Sequence, residues 1–190
     1  MRSHATLQNA VIALVALAAA IASIVLVPGL RGYLGAGLAL IAVAIAAIDA
    51  RRFIIPNELS AAGFALALVH AWASAPYAAF EAVGIAALRG LALALAFLLL
   101  RAIYRRWRDR DGIGLGDVKL AAVAGAWLDW LSALLSVEMA ALGALAFFAL
   151  WGLVGGRSLQ AATRIPFGVF FAPAIWIAWV VEAVWLSPGL

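Results

Sequence analysis

The sequence predicts an all-α fold: a polytopic transmembrane helical bundle of about six to seven spans. Three observations carry this. Hydrophobic residues make up 68% of the 190-residue chain and charged residues 12%. Several apolar runs reach the roughly 20 residues a helix needs to cross the hydrocarbon core. The polar stretches between them are short and punctuated by Gly, Pro and Arg. No room is left for a separate soluble domain, so residues 1–190 read as a single integral membrane domain, an N-terminal span at 7–27 followed by a bundle over 33–187.

The first span, 7–27, is alanine-rich and closes at Pro28-Gly29; Arg2 ahead of it and Ala22-Ser23 near its end also give it the form of a secretory signal. The second, 33–50, stays apolar as far as Asp49 and stops at Arg51-Arg52. The third, 59–75, follows Pro56-Asn57, where Asn57 suits an N-cap, and ends before Pro76. The fourth, 82–104, contains Arg89 and runs into the stretch from Arg105 to Gly116. The fifth, 117–131, starts at Asp117; the sixth, 133–155, ends at Gly155-Gly156-Arg157; the seventh, 167–186, opens after Pro166. No internal repeat is visible.

Orientation follows from the basic residues. With a cytoplasmic N-terminus, the inner segments hold Arg2, Arg51, Arg52, Arg101, Arg105, Arg106, Arg108, Arg110, Lys119, Arg157 and Arg164, leaving only Arg31 and Arg89 of the 13 basic residues elsewhere. Trp127, Trp130 and Trp185 near outer ends, and Trp107 just inside, read either as interfacial anchors or as packing between helices. Arg89 has Glu138 or Glu81 as its expected partner, or snorkels outward, in a structural role.

Composition also excludes. Cys 0 removes disulfides, thiol nucleophiles and thiolate zinc sites, and His 2 argues against a histidine metal site, so neither a metal nor any other cofactor is expected. The net charge of +4 is explained by the skew of arginines between membrane faces, and no nucleic-acid partner is invoked.

Two acids at span ends stand out. The second span runs inward and ends at Asp49; the fifth runs outward and starts at Asp117, so opposite directions bring both carboxyls to the cytoplasmic side. An aspartate in a span costs about 3 kcal/mol on insertion scales and faces a watery cavity or a partner. From Asp117 to Asp129 is only 12 residues, about 18 Å of helix against a core of about 30 Å, which puts Asp117 inside the slab. Two carboxyls sharing a site do not both ionise readily; one keeps a proton while the other accepts one from water, which is the condition for aspartic peptide hydrolysis. Each element has a plainer reading. Asp49 with Arg51-Arg52 forms an interfacial charge cluster, Pro56-Asn57 a helix start, and Gly114-Leu115-Gly116-Asp117 a turn with an N-cap.

Three segments together resemble the type IV prepilin leader peptidase family, membrane aspartic peptidases of GxGD type. They are Asp49 ahead of Ile55-Pro56-Asn57; Gly114-Leu115-Gly116-Asp117-Val118-Lys119 followed by Gly125-Ala126-Trp127-Leu128; and Ile165-Pro166-Phe167-Gly168 opening the last span. A GxGD motif alone is shared with presenilin-like proteases. The resemblance implies that Asp49 and Asp117 are catalytic and that the substrate is the short basic leader of a prepilin or pseudopilin, cut on the cytoplasmic side ahead of the pilin's apolar helix. It further implies residence in the bacterial inner membrane beside pilus assembly machinery. Without the cysteine-rich insert of the methylating members, the chain is similar to the small, peptidase-only branch of tight-adherence (Tad/Cpa, Flp-type) pili. Val169 stands where the family often has a second proline.

Around the aspartates, Pro56, Asn57, Gly114, Gly116, Lys119, Pro166, Phe167 and Gly168 are the expected binding and supporting residues. Pro166 and Gly168 either free backbone groups to hold an extended peptide or simply start a helix. Lys119 either tunes Asp117, meets an acidic substrate residue, or snorkels to headgroups. His70 and His4 read as incidental. Two rivals stand beside the peptidase: a proton-coupled transporter relaying protons through Asp49 and Asp117, and a non-catalytic membrane subunit of a secretion system.

Overall fold

The structure, a computed structural model, describes residues 2–108, 112–155 and 166–186. Arg110, Arg157, Arg164 and Ile165, all named above, lie outside the described residues. The described residues form seven α-helices and no strand: α1 (Arg2–Leu26), α2 (Leu30–Arg52), α3 (Asn57–Ser74), α4 (Ala79–Arg108), α5 (Leu115–Trp127), α6 (Trp130–Gly155) and α7 (Gly168–Val181), the last continuing as a π-turn over Glu182–Leu186. Five of them, α1, α2, α4, α6 and α7 with its π-turn, are long and apolar enough to cross a membrane.

The expected seven elements are therefore present, with shifted ends. α4 runs on to Arg108, its last turn carrying Arg105, Arg106 and Arg108 where cations complement the helix dipole. α5 stops at Trp127 because Leu128 is extended and the Asp129 carbonyl already accepts the Ala133 amide that opens α6.

α5 is the hub. Its 13 residues rise about 20 Å, too short to span, and it packs against α3, α4, α6 and α7. Leu120, Ala121 and the run Val123 to Trp127 are buried, as expected of a helix that is apolar on all sides. Small residues let its neighbours approach. A methyl group at Gly125 would stand 2.5 Å from the Arg89 carbonyl oxygen, so α4 and α5 touch through backbone. On α2, buried Gly32, Gly35, Ala36, Ala39 and Ala42 admit α1 and α7 in the same way. α1 is the peripheral element, tied by Arg51 donating to Asn9 Oδ1 at 2.9 Å and Trp176 Nε1 donating to Ser23 Oγ at 2.9 Å.

Two open readings are decided at the end of the bundle away from Asp49. Trp127 is no interfacial anchor: it is 2% exposed and stacks on His70 with ring centroids 4.8 Å apart. Arg89 pairs with Asp129 at 2.8 Å, not with Glu81 or Glu138. The close α4–α5 approach sets Arg89 beside the end of α5, whereas Glu81 lies about 12 Å further along its own helix. Glu182 completes this network by accepting the Asp129 amide at 3.1 Å.

Candidate active site

Asp49 sits in the last turns of α2 and is 4% exposed. Its carbonyl accepts the amide of Phe53 at 2.9 Å, and Phe53, at φ 55, closes the helix in the left-handed conformation. A side chain there costs about 1 kcal/mol, which the reversal of chain direction requires. Ile55 is kept extended by the proline after it. Pro56 stands at the N-cap position of α3, where its carbonyl accepts both the amide and the hydroxyl of Ser60, at 3.2 and 3.1 Å. Asn57 is thus the first helical residue and not the cap, which leaves its side chain free for another partner.

Asp117 is the third residue of α5 and half-buried. Its Oδ2 accepts the Gly114 amide at 3.1 Å and its own amide donates to the Gly114 carbonyl at 3.1 Å, so the carboxylate caps the helix that carries it. Arg101 donates to the Ile113 carbonyl and pins the segment leading in.

The third contribution is the start of α7. The amides of Gly168 and Val169 point at the Asp49 carboxyl, yet Oδ2 of Asp49 is buried without a hydrogen-bond partner among the described residues. Val169 also donates to the Pro166 carbonyl at 3.2 Å, and Phe171 to that of Phe167 at 2.9 Å. Pro166 and Phe167 therefore act as a helix start, with the first residues of α7 set close to the Asp49 carboxyl.

Ile55 joins these parts. A methyl group at Gly116 would stand 2.9 Å from Ile55 Cδ1, and one at Gly168 would stand 2.9 Å from the same atom and 2.8 Å from Asp49 Oδ2. A side chain at either position would press on Ile55, and at 168 on the Asp49 carboxyl as well, because the Ile55 side chain fills the gap between the first turns of α5 and α7. Lys119 holds Ile55 from outside: Nζ donates to its carbonyl at 2.9 Å and to Asn57 Oδ1 at 2.6 Å. Lys119 does not pair with Asp117, because residues two apart on a helix face different ways.

Asp49 and Asp117 are close enough to interact electrostatically. All ten residues singled out in the sequence, Asp49, Pro56, Asn57, Gly114, Gly116, Asp117, Lys119, Pro166, Phe167 and Gly168, fall at this one end of the bundle. Sequence reasoning missed Ile55 as a spacer and Arg101 as a pin; the glycines at 116 and 168 were the available signal for the first. No group of three or more His, Cys, Asp or Glu side chains among the described residues is placed to hold a metal ion. An apolar cavity of about 250 Å³ lies between α1, α2 and α7, lined by Ala46, Ala47 and Pro173 among others, and not between the carboxyls.

Fold and site together define a polytopic helical membrane protein with two interacting aspartates gathered at one end. Residues 36–154 match the type IV leader peptidase family, and the chain belongs to it. The match includes Asp49, the Pro56 turn and the segment from Gly114 to Lys119, and stops before Pro166. The Prepilin leader peptidase/N-methyltransferase of Aeromonas hydrophila is 29% identical over 168 residues, which cover 87% of this chain and 55% of that protein. The protein of that name from Burkholderia pseudomallei (strain K96243) is 34% identical over 137 residues, 72% of this chain and 42% of its own. The chain spans about half the length of the curated relatives it matches. No solved structure matches it.

Proposed function

We propose that this protein is a prepilin leader peptidase, an aspartic endopeptidase that removes the short basic leader of a prepilin or pseudopilin using Asp49 and Asp117. The observation that carries the reading is the placement of two carboxyls, one from the end of α2 and one from the start of α5, around the Ile55 side chain within the family-matched segment. The names of the relatives supply the substrate class.

The chemistry needs neither metal nor organic cofactor. The ionised carboxyl takes a proton from a water as its oxygen attacks the scissile carbonyl; the protonated carboxyl donates to that carbonyl's oxygen. The tetrahedral diol then collapses: one hydroxyl returns its proton to the carboxylate that had donated, and the other carboxyl protonates the departing amine. The dyad ends singly protonated, as it began. The basic residues clustered at the same end, Arg51, Arg52 and Arg105 to Arg108, support a site facing the cytoplasm across a bacterial inner membrane.

The test is cleavage of a co-expressed candidate prepilin by the wild type, Asp49→Asn and Asp117→Asn, scored by gel shift and by the N-terminal sequence of the product. Cleavage by the wild type alone, with equal insertion of all three, supports the peptidase. Cleavage unaffected by either substitution removes the dyad and returns the transporter and scaffold readings.

A further inference from the structure

We infer that Lys119 is a positioning residue: by clamping Ile55 and Asn57 it holds the Ile55 side chain between α5 and α7 and so sets the separation of the Asp49 and Asp117 carboxyls. The inference rests on the aspartic reading above and goes beyond it, because Lys119 touches neither carboxyl.

The geometry is a chain of contacts from Lys119 through Ile55 to both carboxyls. Lys119 Nζ reaches two oxygens on the far side of the sequence, the Ile55 carbonyl at 2.9 Å and Asn57 Oδ1 at 2.6 Å. Both bonds are charge-assisted and so among the stronger ones available. Ile55 offers its carbonyl to Lys119 and its side chain, 6% exposed, to the two glycines. Fixing the carbonyl therefore fixes the direction of the side chain. That side chain meets Gly116, next to Asp117, and Gly168, whose own neighbour is Asp49 Oδ2.

The turn that carries Ile55 needs such a restraint. Phe53 is the only non-glycine residue with positive φ among the described residues, at 55, and it lies four residues beyond Asp49. A left-handed side chain persists only where its surroundings hold it. Pro56 stiffens the segment behind Ile55 but offers no amide to tie it down. The ammonium supplies the tie from α5, the helix that bears the second carboxyl, so one side chain couples the turn after Asp49 to the helix of Asp117.

The experiment measures kcat and KM for a purified candidate prepilin in detergent, across pH, with the full-length protein carrying Lys119→Met, Asn57→Ala or Asn57→Asp. Lys119→Met keeps the length of the stem and removes the donors. A carboxyl displaced by about 1 Å loses about 100-fold in rate, so kcat should fall about 100-fold with KM within about twofold of wild type. The pH–rate bell should also narrow, because carboxyls held further apart interact less. Asn57→Ala, which loses one of the two acceptors, should fall between, and Asn57→Asp, which keeps it, should restore the rate. A rise in KM with kcat intact would make Lys119 a substrate contact and overturn the inference, as would a wild-type rate and pH profile in Lys119→Met. If Lys119→Met fails to insert, the Asn57 pair decides: equal rates for Ala and Asp overturn the clamp. Cleavage by Asp49→Asn or Asp117→Asn would instead defeat the aspartic reading, so the two failures are distinguishable.

Discussion

Replacing Gly168 by alanine separates the energy of packing from the effect of misplacing a carboxyl. The added methyl group would stand 2.8 Å from Oδ2 of Asp49, 3.1 Å from its Cγ and 2.9 Å from Cδ1 of Ile55. Ordinary contact begins near 3.4 Å, so the carboxyl must retreat by about 0.6 Å. Both neighbours are side-chain ends and neither is backbone; the strain lies at the low end of overpacking, about 1 kcal/mol. The rate is more sensitive. At about 100-fold for each ångström of misplacement, a 0.6 Å shift lowers kcat on the order of 15-fold. The assay is the initial rate of prepilin cleavage in detergent, with thermal unfolding measured on the same preparation. Gly84→Ala on α4, where nothing lies within 4 Å of the new methyl group, is the control and should cleave as the wild type does. Wild-type turnover by Gly168→Ala would refute the argument that Asp49 must occupy this position. Failure of that variant to fold would refute the claim that its neighbours give way.

Two further outcomes concern the opposite end of the bundle. Arg89→Met removes the 2.8 Å pair with Asp129 and the bond to the Gly125 carbonyl; because Asp129 is 60% exposed the pair is screened, and the loss should be about 1 to 2 kcal/mol in thermal unfolding, with cleavage per folded molecule unchanged. A loss of activity as deep as that of the aspartate variants would contradict this. Trp127→Phe keeps the ring on His70 and removes an indole nitrogen that has no partner among the described residues, so it should cost under about 1 kcal/mol, against about 3 to 5 for Trp127→Ala. Equal losses from the two would show that a smaller ring does not keep the contact with His70.

Local signals located the helices because each break is chemical: Pro28-Gly29, Arg51-Arg52, Pro56, Pro76 and Gly114 all interrupt apolar runs. That Asp49 and Asp117 come to the same end was legible too, since consecutive helices read as alternating in direction. What escaped were relations between distant residues. Nothing near Lys119 in sequence marks Ile55, 64 residues away, as its partner. Arg89 found Asp129 only because Gly90 and Gly125 bring two backbones together. Trp127 stayed open between anchor and packing because composition does not distinguish an apolar surface facing lipid from one facing protein, and the buried part of α5 faces protein. The Pro166 segment was legible as a helix start, but not that its amides turn toward Asp49.

The surroundings of Asp49 are completed by α7, which is made long after it. Asp49 leaves the ribosome 119 residues before Gly168, an interval on the order of ten seconds at ordinary rates of synthesis. Throughout that interval the Asp49 carboxyl lacks its neighbours on α7, and Ile55 lacks both of its walls until Gly116 is made and one of them thereafter. A nascent chain therefore enters the membrane with its two acids present but their setting unfinished, and a protein proposed to cut other membrane-inserted chains is unarmed during its own insertion.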